Sequence, residues 1–277
     1  MMASNAAIKS AAKQAMQGKF LLCLIGACVP MFAAIAGDLV VELPLYFGAD
    51  MLVFIPLLLA MIAFLCVPMF VGTLRFFWLI SKDREPNPAE IFHYFKCGSD
   101  YWHCFTVMLP VIFRSILSGI LLFFPSIITL TFANRDFYRE MKWSVPDYLP
   151  LVEVFGFLLA AAAAVLWIIY LLRYCMIPFL LIAAPNMIQE EISFYSAEIY
   201  KRTAYRTFRY VLSYWPWILL SLLVFPLVFT LPYFMSGWVA YCRFAIGQYN
   251  EEARQSGKQP IYISPIEEEN CREENRI

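Results

Sequence analysis

Apolar residues in this chain run in continuous blocks at 20–36, 51–80, 105–133, 151–174 and 210–247. The alternation of a transmembrane barrel strand is absent. A hydrocarbon core of about 30 Å takes ~20 helical residues, and helices satisfy their own backbone hydrogen bonds there. The pattern therefore predicts an all-α, polytopic membrane helix bundle. The last block is too long for one ordinary span and slightly short for two, and Pro226 and Pro232 place a break near residues 229–231. This predicts about six spans, near 20–41, 51–80, 105–133, 151–176, 211–229 and 230–247, with a re-entrant hairpin over 210–247 as the alternative. A basic leader, an apolar run and Ala34-Ile35-Ala36 also match a cleavable signal peptide. The leader is long for one, and its loss would unpair the later spans.

Polar stretches between the blocks predict interfacial helices. Residues 1–19 set Lys9, Lys13 and Lys19 against alanines and Met16, the pattern of a helix on a membrane surface. Asn87-Pro88-Ala89-Glu90 reads as a helix start over 89–96: Asn87 caps, Pro88 fits the first helical position, and Glu90 reaches back to complete a capping box. Asn186 and Gln189 repeat the signal before an amphipathic helix with Ile188, Ile192, Tyr195 and Ile199 on one side. The tail, 251–277, is polar, mixed in charge and predicted to be disordered.

Composition sharpens this picture. With 61% hydrophobic and 15% charged residues in 277, a soluble fold is excluded, because one core cannot hide so much apolar surface. Basic and acidic residues balance at 21 each, which gives no argument for nucleic acid. Placement matters more: the expected outer loops hold only Arg135, Arg139 and Lys142 against seven acids, Asp38, Glu42, Asp50, Asp136, Glu140, Asp147 and Glu153. The positive-inside bias then puts both termini in the cytoplasm. The eight cysteines read as free thiols on the reducing side.

Three blocks carry an arginine beside an aromatic near their cytoplasmic end: L-R-F-F at 74–77, L-R-Y-C at 172–175 and C-R-F-A at 242–245. One explanation is topological, with guanidinium groups snorkelling to headgroups and aromatics forming a belt. The sharper one takes the chain as three diverged hairpin repeats in which Arg75, Arg173 and Arg243 converge on a lipid phosphate, held in bidentate fashion. Arg243 lies deepest relative to its span. Arg114 fits a snorkelling residue. Lys201, Arg202, Arg206 and Arg209, interleaved with Tyr200, Tyr205, Phe208 and Tyr210, form the densest basic cluster, suited to anionic headgroups. His93, Cys97, His103 and Cys104 are metal-ligating types, but their spacing matches no standard zinc pattern, and no metal or cofactor is expected. No carboxylate sits at mid-membrane, as a proton- or ion-coupled pump would need. Phosphate-loop, G-x-S-x-G and H-E-x-x-H motifs are absent, so no enzyme is expected.

The stretches AAKQAMQGKF, GTLRFFWLISKDREPNPAEIFHYFK, RYCMIPFLLIAAPNMI and AEIYKRTAYRTFRYVLSYWPWILL resemble the bacterial integral-membrane family catalogued as domain of unknown function 975. The resemblance covers most of residues 7–250. It departs where Ala183-Ala184 stand in place of an acid before the proline turn, and in the long loop at 134–150. It implies a bacterial cytoplasmic-membrane protein and no catalytic residue. The expectation is a non-catalytic scaffold or binding protein for anionic lipids or other membrane proteins, without nucleic acid. The alternative is a transporter or export accessory for a small amphiphile or peptide, with prolines 56, 68, 110, 125, 216, 226 and 232 breaking helices along a path.

Overall fold

The computed structural model describes residues 5–46, 51–84, 86–134, 138, 146, 148–220 and 224–261. All regular structure among them is helical. In order come α1 (Asn5–Met16), α2 (Phe20–Tyr46), α3 (Met51–Met61), a π turn (Ile62–Cys66), α4 (Val67–Ile80), a 3-10 turn (Pro88–Phe92), α5 (His93–Lys96), α6 (Gly98–Ala133), α7 (Leu149–Leu172), α8 (Ile177–Ala183), α9 (Gln189–Leu212), α10 (Trp215–Leu220) and α11 (Val224–Gln255). Four stretches, Phe20–Leu43, Phe54–Ile80, Gly98–Ala133 and Leu149–Ala183, are long and apolar enough to cross a membrane. The expected loop charges at 50, 135, 136, 139, 140, 142 and 147 lie outside the described residues.

The last apolar block departs from expectation. α9 ends at Leu212 and a turn follows at 213–214, so 211–229 is not one spanning helix. α11 runs unbroken through 229–231. Pro226 and Pro232 both lie within α11 and do not mark a break between two helices there. Order also continues past 251. Asn250 imitates a peptide group, donating from Nδ2 to the Ile261 carbonyl at 3.0 Å and accepting at Oδ1 from its N–H at 2.8 Å. Tail residues 262–277 lie outside the described residues.

The chain divides into two compact units, Met1–Leu109 with Cys175–Ile277, and Pro110–Tyr174. In the first, α3 to α4 is one helical path whose surroundings change at the π turn. Side chains before it are mostly exposed, whereas all of α4 except Phe70 is buried, with α2, α8, α11 and the 88–92 turn packed round it. Pro68 explains the turn. It lacks the N–H that would bond to the Phe64 carbonyl four residues back. Val67 N–H reaches Ile62 instead, and the Tyr101 hydroxyl donates to the Phe64 oxygen at 3.0 Å. Gly72 lets the backbone of Ile91 press directly on α4, since a Cβ there would overlap the Ile91 carbonyl oxygen. α9 buries Ile192, Ser196, Ile199, Thr203, Thr207 and Tyr210, a stripe at helical spacing. Its threonines are tolerable because Thr203 and Thr207 donate back to the carbonyls four residues earlier, at 2.8 and 3.0 Å.

The second unit is an antiparallel hairpin of α7 against the part of α6 after Leu109. Trp167 donates to the Ser115 carbonyl at 3.0 Å and meets Phe123 edge-on, while Gly119 faces Trp167 and Gly156 faces Leu130. Phe113, Leu121 and Leu151 stay about two-thirds exposed or more, as in a hairpin with lipid-facing sides.

Candidate functional site

Arg75 does not snorkel. Its side chain is buried, so the guanidinium stays inside and takes a counter-charge, Glu90, at 3.4 Å. Asn87 caps as expected, its Oδ1 accepting from the Ala89 N–H at 3.0 Å, and Pro88 follows it. Glu90 does not complete a capping box, because it bridges Arg75 and Lys96, the latter at 3.2 Å. Burial alone would raise the Glu90 carboxyl, but the Lys96 hydrogen bond and the charges of Lys96, Arg75 and His93 outweigh it and hold the group below the usual range. His93 places Nδ1 3.8 Å from Glu90 and Nε2 3.7 Å from Asp100. These contacts are nevertheless not ion pairs at neutral pH: burial, reinforced by Arg75, depresses the imidazole to about 4.

A prediction follows from His93. Its unfolded pKa is about 6.5. Between there and about 4 the unfolded chain takes up a proton that the folded one refuses, so stability falls as pH drops through this window. Thermal midpoints measured from pH 7 to pH 4 will decline, and His93→Asn will flatten the upper part of that decline; an unchanged slope in the variant would assign it elsewhere.

Arg243 occupies a different place. It is exposed on α11 and donates through Nη1 to the Ser81 carbonyl, and to Ser81 Oγ at 3.3 Å, capping the carbonyl end of α4. Lys19 reaches the same turn, donating to the carbonyls of Asp83 and Arg84 at 3.3 Å each. Burial, then the charges of Arg243 and Arg84, lower the Lys82 ammonium pKa. Arg75 and Arg243 thus take separate partners. Arg173, exposed at the end of α7, lies with Arg114 in electrostatic range of the Tyr170 hydroxyl, a pairing within the hairpin unit that linear spacing does not reveal.

The basic cluster on α9 divides in two. Arg202 pairs with Glu252 at 2.9 Å and Glu198 at 3.4 Å and lies over the Tyr249 ring. Arg206 donates to Gln248 and covers Phe244. Gln248 and then Arg202, both hydrogen-bonding Glu252, hold its carboxyl below the usual range. Lys201 and Arg209 are exposed and form no ion pair among the described residues. Opposite the buried stripe runs a second one, Phe194, Lys201, Tyr205, Phe208 and Leu212, spaced seven, four, three and four; Tyr205 is 78% and Phe194 61% exposed.

The four potential metal-ligating residues have separate surroundings. His93 faces carboxylates, His103 buries Nε2 without a partner, and Cys104 is a buried free thiol. Cys97 is disulfide-bonded, against the expectation of thiols throughout, while Cys23, Cys28, Cys66, Cys175 and Cys242 are free. Cys271 lies outside the described residues. Comparison with family models, curated proteins and solved structures gives no match, so the resemblance rests on the quoted stretches alone.

Proposed function

We propose that this chain is a non-catalytic integral membrane protein that binds anionic lipid headgroups at the cytoplasmic face of a bacterial membrane. In this reading both termini are cytoplasmic and four helices cross the membrane. The carrying observation is the double-faced α9. One stripe is buried in protein, and the opposite one exposes Phe194, Tyr205, Phe208 and Leu212 around Lys201. Water penalises such a surface, whereas a membrane interface accepts it, with aromatic rings at headgroup level and cations toward the phosphates. Of the four basic residues, Lys201 and Arg209 are available to lipid, because Arg202 and Arg206 are engaged within the protein.

In nanodiscs of graded anionic content, Lys201→Glu/Arg209→Glu is expected to reduce the enrichment of anionic lipid around the protein several-fold, at ~1 kcal/mol per basic residue. A benzophenone side chain at position 205 should cross-link lipid. Unchanged enrichment together with cross-links only to protein would remove this reading.

A further inference from the structure

α1, the end of α4 and α11 line a half-open cavity of 280 Å³. Ala15, Phe77 and Phe244 supply apolar wall, and Ser81, Ser236 and Arg243 supply the polar groups. One feature sets it apart from a packing defect. Arg243 spends only Nη1 on Ser81, leaving Nε and Nη2 for another acceptor. Neither it nor Lys82 has a carboxylate within 4 Å among the described residues, and Asp83, the acid of that turn, forms no ion pair there.

The apolar wall argues against water as the whole content, and the cations argue for an anion. At ~30 Å³ per water, 280 Å³ is the room of roughly nine waters. That suits a phosphate with its glycerol and is too small for two acyl chains, which would leave along exposed apolar surface. A guanidinium fits phosphate oxygens better than any other side chain.

We propose that this cavity is a discrete site for a glycerophospholipid headgroup, with the phosphate on Arg243 and the glycerol carbons against Phe77 and Phe244. The site rests on the lipid-binding reading above but is separate from the α9 stripe: it predicts one retained lipid, not a general enrichment.

Native mass spectrometry of the detergent-purified full chain, titrated with dioleoyl phosphatidylglycerol, dioleoyl phosphatidylcholine or inorganic phosphate, tests it. One phosphatidylglycerol adduct should survive activation, at least tenfold weakened in Arg243→Gln and in Ala15→Leu, which fills the cavity and leaves every charge in place. Because Arg243 also caps α4, Ala15→Leu carries the test if Arg243→Gln loses its thermal midpoint. Should both variants retain the adduct while Lys201→Glu/Arg209→Glu loses it, the cavity is overturned and the α9 reading survives. Equal retention of phosphatidylcholine by every form overturns both. Full displacement by millimolar inorganic phosphate, with no dependence on acyl chains, overturns the lipid as occupant.

Discussion

Gly72→Ala is expected to destabilise the protein by about 3 kcal/mol, the upper end for an overpacked core. The added methyl meets the Ile91 carbonyl oxygen and carbon, and a backbone group cannot rotate away as a side chain can. The 88–92 turn must therefore lift off α4 and carry Glu90 away from Arg75. Gly247→Ala is the matched control. It sits inside α11 with nothing within 4 Å of the new methyl, so it should stabilise by up to ~1 kcal/mol through helix propensity alone. Thermal unfolding of both variants in one detergent checks the pair, and a Gly72→Ala midpoint equal to the wild type would contradict the packing described.

Glu90→Gln should be nearly as damaging, about 3 kcal/mol, because it leaves Arg75 enclosed without a counter-charge, with an 11% exposed side chain. The figure is set at the low end for a buried pair since Glu90 remains 24% exposed. Replacing both partners, Arg75→Met/Glu90→Leu, should recover most of the loss, because an apolar pair of similar volume avoids the desolvation cost of two charges. A double-mutant cycle on unfolding free energy reads the coupling directly. The same double variant should retain anionic lipid unchanged, which separates Arg75 from the headgroup chemistry assigned to Arg243; loss of lipid with no coupling would reverse that assignment.

These two sites also mark where sequence reasoning stopped. Asn87 and Pro88 were legible because a cap depends on residues two or three apart. Glu90 looked like part of the same local device, yet two cations, one of them fifteen residues upstream, outbid the backbone N–H for its carboxylate. The burial of Arg75 is not legible in sequence, because hydropathy does not distinguish an apolar helix in lipid from one in protein. Similarly, Asn186 and Gln189 have the spacing of a cap, but α9 begins at Gln189 with no side-chain cap on its first turn. The Asn250 pairing with Ile261 spans eleven residues and leaves no periodic trace. Of the candidate site, the basic residues were visible in sequence, but their division into engaged and available ones depends on which face of α9 meets α11.

The hydroxyl of Tyr101 on the carbonyl of Phe64 has a consequence for biogenesis. A proline-broken helix delivered to the bilayer alone carries a bare carbonyl into a medium that offers it no donor, a cost of several kcal/mol. The remedy lies thirty-seven residues downstream. The helix containing Pro68 is therefore complete only in the company of its successor, and the two are expected to enter the lipid as a pair.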